Sequence, residues 1–461
     1  MEINSILVIM MMLTFIGLLF TGFPIAYVLG GTAMLFTYVG YLSDMYFDSF
    51  TGLDYMMIGI VVNRLYQIMY NWILVALPMF IFMGLMLDHS GIAEKMMHAI
   101  QNLFGKVRGG LAVTVTLIGI ILAASTGVVG ASVVLLGLLS VPAMLHQGYK
   151  KPLALGTVCG AGTLGILIPP SIMLVIMADQ LTLSVGDLFM GALIPGLILG
   201  ALYIVYILIY GFICPDAAPL AADRKPFEMS LVMEVLKTIV PPVMLILAVL
   251  GSIFMGITTP TEASGVGALG AAVLAWYNKK LSMAVLKKVL IDTFRTTSYI
   301  FSILIGATCF ALVLRALGGD EFIESCFSGL PFGPHTVILI ILFVVFILGF
   351  FLDWIEITLI ILPLVSPVVS GLGLHIDGMG VVENPELVWF AILMAVTLQT
   401  SFLTPPVGFA IFYLRGVVPP NVTLMDMYKG VVPFIILQLI GLLIIFLLPE
   451  IVIWLPAMTY K

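Results

Sequence analysis

Oxygen donors, nearly all without fixed charge, gather in two sets in an otherwise apolar chain, a pattern suited to holding a monovalent cation. In the first half, Ser125, Thr126, Ser132 and Thr163, with the backbone carbonyls near Gly127 and Gly162, supply one set. In the second half, Asp353, Thr358, Thr397, Thr400, Ser401 and Thr404 supply another. Sodium takes such neutral oxygens where a helix is interrupted inside a membrane. Hydroxyls there also bond back to their own helix, and glycines such as Gly127, Gly130, Gly162 and Gly165 also serve close packing, so both readings stand for each. Asp353 and Glu356 are the acids deepest in apolar sequence, where an unpaired charge costs several kcal/mol. For Asp353 a solvated place near an interface is the other reading. Interrupted helices also present N–H groups and partial positive charge to anions. On that chemistry Pro169, Pro170 and Ser171, and Pro405, Pro406 and Gly408, are the substrate-facing candidates. Arg315 and Arg415 lie close by, either to meet an anion or to snorkel to an interface.

The elements that must position these groups are membrane helices. Hydrophobic residues make up 62% of the 461, charged residues 9%, and mean hydropathy is +1.23. A soluble domain has about 25% charged residues. Runs such as Ile3–Thr21, Leu231–Gly256 and Leu424–Leu448 are long enough for about 30 Å of hydrocarbon, and about ten to twelve full or partial crossings fit the chain. The start has neither a basic region nor a small-residue cleavage site, so Ile3–Thr21 reads as a retained helix. Cys159, Cys214, Cys309 and Cys326 lack metal spacing and read as small hydrophobes. No HExxH, paired-Asp or GxSxG context is present, which argues against an enzyme, and nothing suggests a nucleic-acid partner or an organic cofactor.

Two Pro-Pro pairs, Pro169-Pro170 and Pro405-Pro406, interrupt apolar runs by removing donors and clashing with the preceding turn. They stand 236 residues apart, as do Pro24 and Pro260, which open matched segments. That constant offset reads as an internal repeat. Lys/Arg placement tests its orientation. Tyr41–Gly59 has no basic residue, whereas its counterpart Asn278–Arg295 carries Lys279, Lys280, Lys287, Lys288 and Arg295. Gln101–Gly110 and Lys150-Lys151 are basic, whereas Gly319–Pro334 and Gly371–Leu387 are acidic. By the positive-inside rule the copies are inverted. The expected fold is an all-α integral membrane protein of two inverted-topology repeats, each with a re-entrant helical hairpin and a Pro-Pro-broken helix. Residues 1–214 form the first repeat (hairpin about 111–142, broken helix about 152–180), 215–230 a cytoplasmic linker, and 231–461 the second repeat (hairpin about 337–367, broken helix about 387–416). Asp54–Tyr70 reads as an interfacial helix, and both termini fall outside, the last crossing being Leu424–Leu448.

The stretches GKVRGGLAVTVTLIGIILAASTGVVGASVVLLG and PAMLHQGYKKPLALGTVCGAGTLGILIPPSIMLVI resemble the large membrane subunit of tripartite ATP-independent periplasmic (TRAP) transporters. So do FMGITTPTEASGVGALGA and LTPPVGFAIFYLRGV, and the resemblance runs from Pro24 to about Gly430. It implies a sodium-driven secondary transporter of a bacterial inner membrane, carrying small organic acids. Two partners are implied: a small four-helix membrane subunit as a separate chain, and a periplasmic substrate-binding protein. An elevator mechanism is also implied, in which hairpins and broken helices move as a unit against a scaffold. By matching motif, one sodium site falls at Ser125–Ser132 with Gly162–Gly165, the other at Gly349–Asp353 with Thr400–Thr404. The first tip departs from the family pattern by reading STGVVGAS, and Gly371–Glu386 is longer than usual. A stand-alone sodium-coupled anion symporter of the same fold is the competing reading.

Overall fold

The computed structural model describes residues 3–47, 51–104, 107–127, 129–220, 229–328, 331–378 and 380–459, and the side chains of Ser125 and Thr126 lie outside what it describes. The described residues form helices joined by turns and loops, with no strand among them, and include nine helices long and apolar enough to cross a membrane and five shorter apolar ones. In chain order the first are α1 (Ile3–Leu19), α2 (Ile25–Phe47), α3 (Tyr55–Tyr70), α4 (Ala76–His89) and α5 (Ile92–Phe104). A helical pair follows, α6 (Gly110–Thr126) and α7 (Val129–His146), turning at Gly127 with φ +59°. Left-handed backbone there is natural only for glycine.

The first Pro-Pro pair separates α8 (Lys151–Thr163) from α9 (Ile172–Leu181). Then come α10 (Val185–Ile213), α11 (Met229–Phe254), α12 (Pro260–Tyr277), the 34-residue α13 (Met283–Ala316) and α14 (Gly319–Ser328). A second helical pair joins α15 (Pro334–Leu348) to α16 (Trp354–Glu356), a π-helical turn Ile357–Ile361 and α17 (Leu362–Gly371). The second Pro-Pro pair separates α18 (Pro385–Leu403) from α19 (Phe409–Arg415), before α20 (Leu424–Leu447) and α21 (Glu450–Thr459). Both interrupting pairs are joined by cis bonds.

Local sequence sets the starts. Thr259 and Glu262 form a capping box on α12, Thr423 and Asp426 another on α20, and Ser184 and Ser282 cap α10 and α13. Each cap satisfies amides that the helix itself leaves unpaired. The interrupted helices are the innermost: Leu153–Thr163 of α8 and Leu387–Leu403 of α18 are buried without exception. Close approach is built from glycine. A Cβ on Gly156 of α8 would lie 2.0 Å from the Gly430 carbonyl of α20. Gly156→Val is therefore expected to destabilise the fold by about 1–3 kcal/mol, measured as a lower melting temperature in detergent. An unchanged melt would show that this contact is not needed.

Leu424–Leu448 remains, as α20, the last helix long enough to cross among the described residues, and the short α21 beyond it folds back on α10, with Val452 0% exposed against Gly191. Three expectations change. The acidic stretch Gly319–Pro334 and the basic stretch Asn278–Arg295 are largely helical, as α14 and as the first turns of α13. The Gln101–Gly110 flank begins inside the amphipathic α5. Finally, Pro241-Pro242 lies inside the continuous α11, so a Pro-Pro pair alone does not end a membrane helix. Half of the linker, residues 221–228, lies outside the described residues.

Candidate functional site

Each helical pair brings its turn against an interrupted helix. A Cβ on Gly127 would meet the Ile172 amide nitrogen at 3.0 Å, so the α6–α7 turn abuts the start of α9. Gly130, one turn on, faces the ring of Tyr413 in α19, and Gly137 faces Leu414. Gly162 of α8 packs on the backbone of Val133, beside the buried Ser132. In the second half a Cβ on Gly349 would lie 2.3 Å from the Ser401 hydroxyl and 2.8 Å from its Cβ. The α9 helix also touches the π-helical turn and α17. Both breaks and both turns thus form one contiguous region.

The hydroxyls of that region are mostly self-bonded. Thr397, Thr400 and Thr404 each donate to the carbonyl four residues back, at 2.9, 2.8 and 2.8 Å, and Ser401 donates to Leu398 at 2.8 Å. A donating hydroxyl keeps its lone pairs, so this geometry stays compatible with coordinating a cation. Thr397 and Thr400, however, line an apolar pocket of about 250 Å³ with Leu342 and Phe346. Ser171 donates to the Ile166 carbonyl at 2.5 Å, across the first break. Thr163 donates to Gly160 at 2.9 Å and is met by the amides of Gln399 and Gln438. Its hydroxyl is thereby used up, with its proton given to Gly160 and its lone pairs facing the two amides. Gly165 lies buried in the 3₁₀ turn that ends α8.

Asp353 accepts from the Trp354 amide at 2.8 Å and caps α16. Glu356 is 0% exposed and accepts from the Tyr299 hydroxyl of α13 at 3.4 Å, while its Oε2 and the Thr358 hydroxyl have no partner. Buried oxygens left in that state are unusual and fit an oxygen-seeking cation. The two breaks differ in exposure. Pro169 and Pro170 are buried, whereas Pro406 is exposed and Gly408 is buried with φ +55°.

Arg415 ends α19 and is exposed to solvent or lipid, away from any described acid partner. Arg315 ends α13 and pairs with Asp320 at 3.2 Å, both half-exposed. It lines a polar cleft of about 240 Å³ together with Arg64, Asn71, Asp179 and Thr308. Within it Asn71 donates to Asp179, tying the foot of α4 to the end of α9. Replacing Asn71 with alanine is expected to loosen that tie and raise amide exchange at the end of α9. Unaltered protection there would show the contact carries nothing. Arg64, Gln399, Gln438 and Tyr203 were not among the sequence candidates. A glutamine inside the apolar α18 or α20 is the signal that marks Gln399 and Gln438; Arg64 on α3 and Tyr203 on α10 carry no comparable one.

The description "Tripartite ATP-independent periplasmic transporter, DctM component" matches residues 12–451. The C4-dicarboxylate TRAP transporter large permease protein DctM of Pseudomonas aeruginosa is 29% identical over 397 residues, covering 85% of this chain and 88% of that one. The sialic acid TRAP transporter large permease protein SiaM of Vibrio cholerae is 26% identical over 449 residues, covering 96% and 97%. The ectoine TRAP transporter large permease protein TeaC of Halomonas elongata is 26% identical, covering 98% and 99%. Among solved structures the YdaH transporter of Alcanivorax borkumensis superposes with a TM-score of 0.61 at 11% identity, covering 88% of this chain and 90% of that one, a likeness of fold alone. The interrupted helices, the turns packed against them and the match over nearly the whole length lead to one conclusion: this chain belongs to the TRAP transporter family as a large membrane permease subunit.

Proposed function

We propose that this subunit drives sodium-coupled import of a small organic anion, handed to it by a periplasmic substrate-binding protein in a bacterial inner membrane. A separate small four-helix membrane subunit completes the complex, and both termini face the periplasm. The supporting observation is that two helix interruptions at one sequence offset each abut a glycine turn, Gly127 on Ile172 and Gly349 on Ser401. Interrupted helices meeting in this way bring carbonyls, hydroxyls and N–H groups together, the combination that binds a cation and an anion side by side. The first sodium is assigned to the Gly127 turn with Ser125, Thr126, Ser132 and the Gly162–Gly165 backbone. The second is assigned to Gly349, Asp353 and the hydroxyls of Thr397, Thr400, Ser401 and Thr404. The anion lies against Pro169, Pro170 and Ser171 from one half and Pro405, Pro406 and Gly408 from the other, with Arg315 at the entrance. The two inverted repeats divide into a scaffold, with α13 as its longest element, and a transport unit of turns and broken helices that moves as an elevator.

The test is uptake of candidate organic acids by the reconstituted membrane complex under a sodium gradient, with and without its binding protein. Uptake is expected only when both are present. Uptake without the binding protein would favour the stand-alone symporter, and uptake without sodium would reject the coupling.

A further inference from the structure

Between the two assigned sodium sites lies a cluster of polar side chains that neither assignment uses, although the Thr163 backbone belongs to the first. Thr163 of α8, Tyr203 of α10, Gln399 of α18 and Gln438 of α20 are all 0% exposed. The Gln399 amide donates to the Thr163 hydroxyl at 3.4 Å and reaches the Tyr203 hydroxyl at 3.5 Å, and the Gln438 amide donates to Thr163 at 3.5 Å. Thr163 and Gln399 are 236 residues apart, the offset that separates the two Pro-Pro pairs. The corresponding positions of the two repeats therefore touch each other directly. Tyr203 is held by Phe434, ring to ring at 5.2 Å.

Four buried polar side chains in an apolar core are costly unless they do something that apolar ones cannot. This cluster is also incompletely paired, because Gln399 Oε1 and Gln438 Oε1 have no partner. Turning either amide would bring an oxygen toward the Tyr203 hydroxyl, which has a proton to give. The cluster thus has two hydrogen-bonded arrangements available. Thr163 is next to Gly162 of the first assigned site, and Gln399 is next to Thr400 and Ser401 of the second.

Resting on the two-site reading above, we propose that Thr163, Gln399, Gln438 and Tyr203 couple the two sodium sites, so that filling one raises the affinity of the other. An ion drawn to the carbonyls at the end of α8 shifts Thr163, and its hydroxyl selects the Gln399 arrangement that presents Thr400 and Ser401 to the second ion. Gln399, Gln438 and Tyr203 are positioning residues and touch neither ion. Coupling of this kind is reciprocal, so either site can be filled first.

The test is the sodium dependence of two readouts: uptake by the complete reconstituted transporter, and thermal stabilisation of the membrane complex by sodium alone. The wild type is expected to show a Hill coefficient of about 2 in both, near the number of sites. Gln399→Leu and Thr163→Val are expected to bring it to about 1 and to raise half-saturating sodium about fivefold or more. Tyr203→Phe, which removes a single oxygen, keeps the test open should those two fail to fold, and is expected to move the Hill coefficient the same way. A purely structural role would lower the melting temperature without sodium and leave the Hill coefficient as it was, overturning the proposal. A wild-type coefficient of about 1 would overturn the coupling while leaving sodium-driven transport standing. Sodium-independent uptake would remove the underlying reading itself.

Discussion

Valine in place of Gly349 is expected to lower sodium-driven uptake at least about tenfold, the rate equivalent of about 1.4 kcal/mol. The new Cβ would lie 2.3 Å from the Ser401 hydroxyl and 2.8 Å from the Ser401 Cβ. Rotating the serine relieves only the first contact, so the end of α15 must draw back from α18. Overpacking a close contact typically costs about 1–3 kcal/mol, and here the displaced backbone is the one assigned to the second ion. A size exchange separates packing from ligation. Gly349→Ala alone keeps both clashes, whereas Gly349→Ala combined with Ser401→Gly removes them along with the serine hydroxyl. Recovery of uptake in the double variant would show that Gly349 matters for packing and that the Ser401 hydroxyl is dispensable. Continued loss, with a normal melting temperature, would assign that hydroxyl to the ion. Glycine inside α18 carries its own cost of about 0.5–1 kcal/mol, so the melting temperature must be read beside the uptake. Normal uptake by Gly349→Val would reject the site.

How far the sequence could be read depended on how local each signal was. The two interruptions were visible because proline removes a donor from the helix whatever surrounds it. Even so, Pro241-Pro242 runs through α11, where no glycine-rich or hydroxyl-rich flank accompanies the pair. What marks a true break is the pair together with its neighbours: Gly162 and Gly165 before the first, Thr404 and Gly408 around the second. The helix α5 is signalled by an apolar face of Ile92, Met96 and Ile100 at helical spacing, a pattern that the charge count of Gln101–Gly110 does not use. The helix α21 is ten residues long and contains Pro456, too short for a crossing, and only its packing on α10 makes it a stable element. The Thr163 cluster was least legible, since its members come together across 196 to 275 residues of chain. A lone glutamine in an apolar run reports that a partner exists, never which one. Arg315 is marked in the sequence by its charge and its nearness to the second hairpin, whereas Arg64, on the exposed α3, is linked to it only by the shape of the cleft.

That cleft carries the second large expectation. Arg64 and Arg315 line it from α3 and α13, and the only acid among its lining residues, Asp179, is engaged by Asn71 and Gln180. Arg315 is shared with Asp320 at 3.2 Å across half-exposed side chains, an arrangement weak enough for an incoming carboxylate to compete. The basic residues Lys287 and Lys288 stand at the opposite end of α13, so on the proposed topology Arg315 lies on the periplasmic side, where the proposed binding protein would release its load. Hydrogen bonds to charged groups are each worth about 1.5–3 kcal/mol, and water in an open cleft favours the lower figure. Changing both arginines to glutamine is thus expected to raise KM for an anionic substrate by about tenfold or more. Charge lost uniformly from bound and transition states should leave kcat nearly unchanged. Asp320→Asn should act in the opposite sense, freeing Arg315 and lowering KM. The pair is informative because the two variants alter cleft charge in opposite directions at neighbouring positions. Equal KM values in wild type, Arg64→Gln/Arg315→Gln and Asp320→Asn would mean that the anion enters without passing these side chains. A fall in kcat at constant KM would move the arginines from the entrance to the step in which the transport unit itself moves.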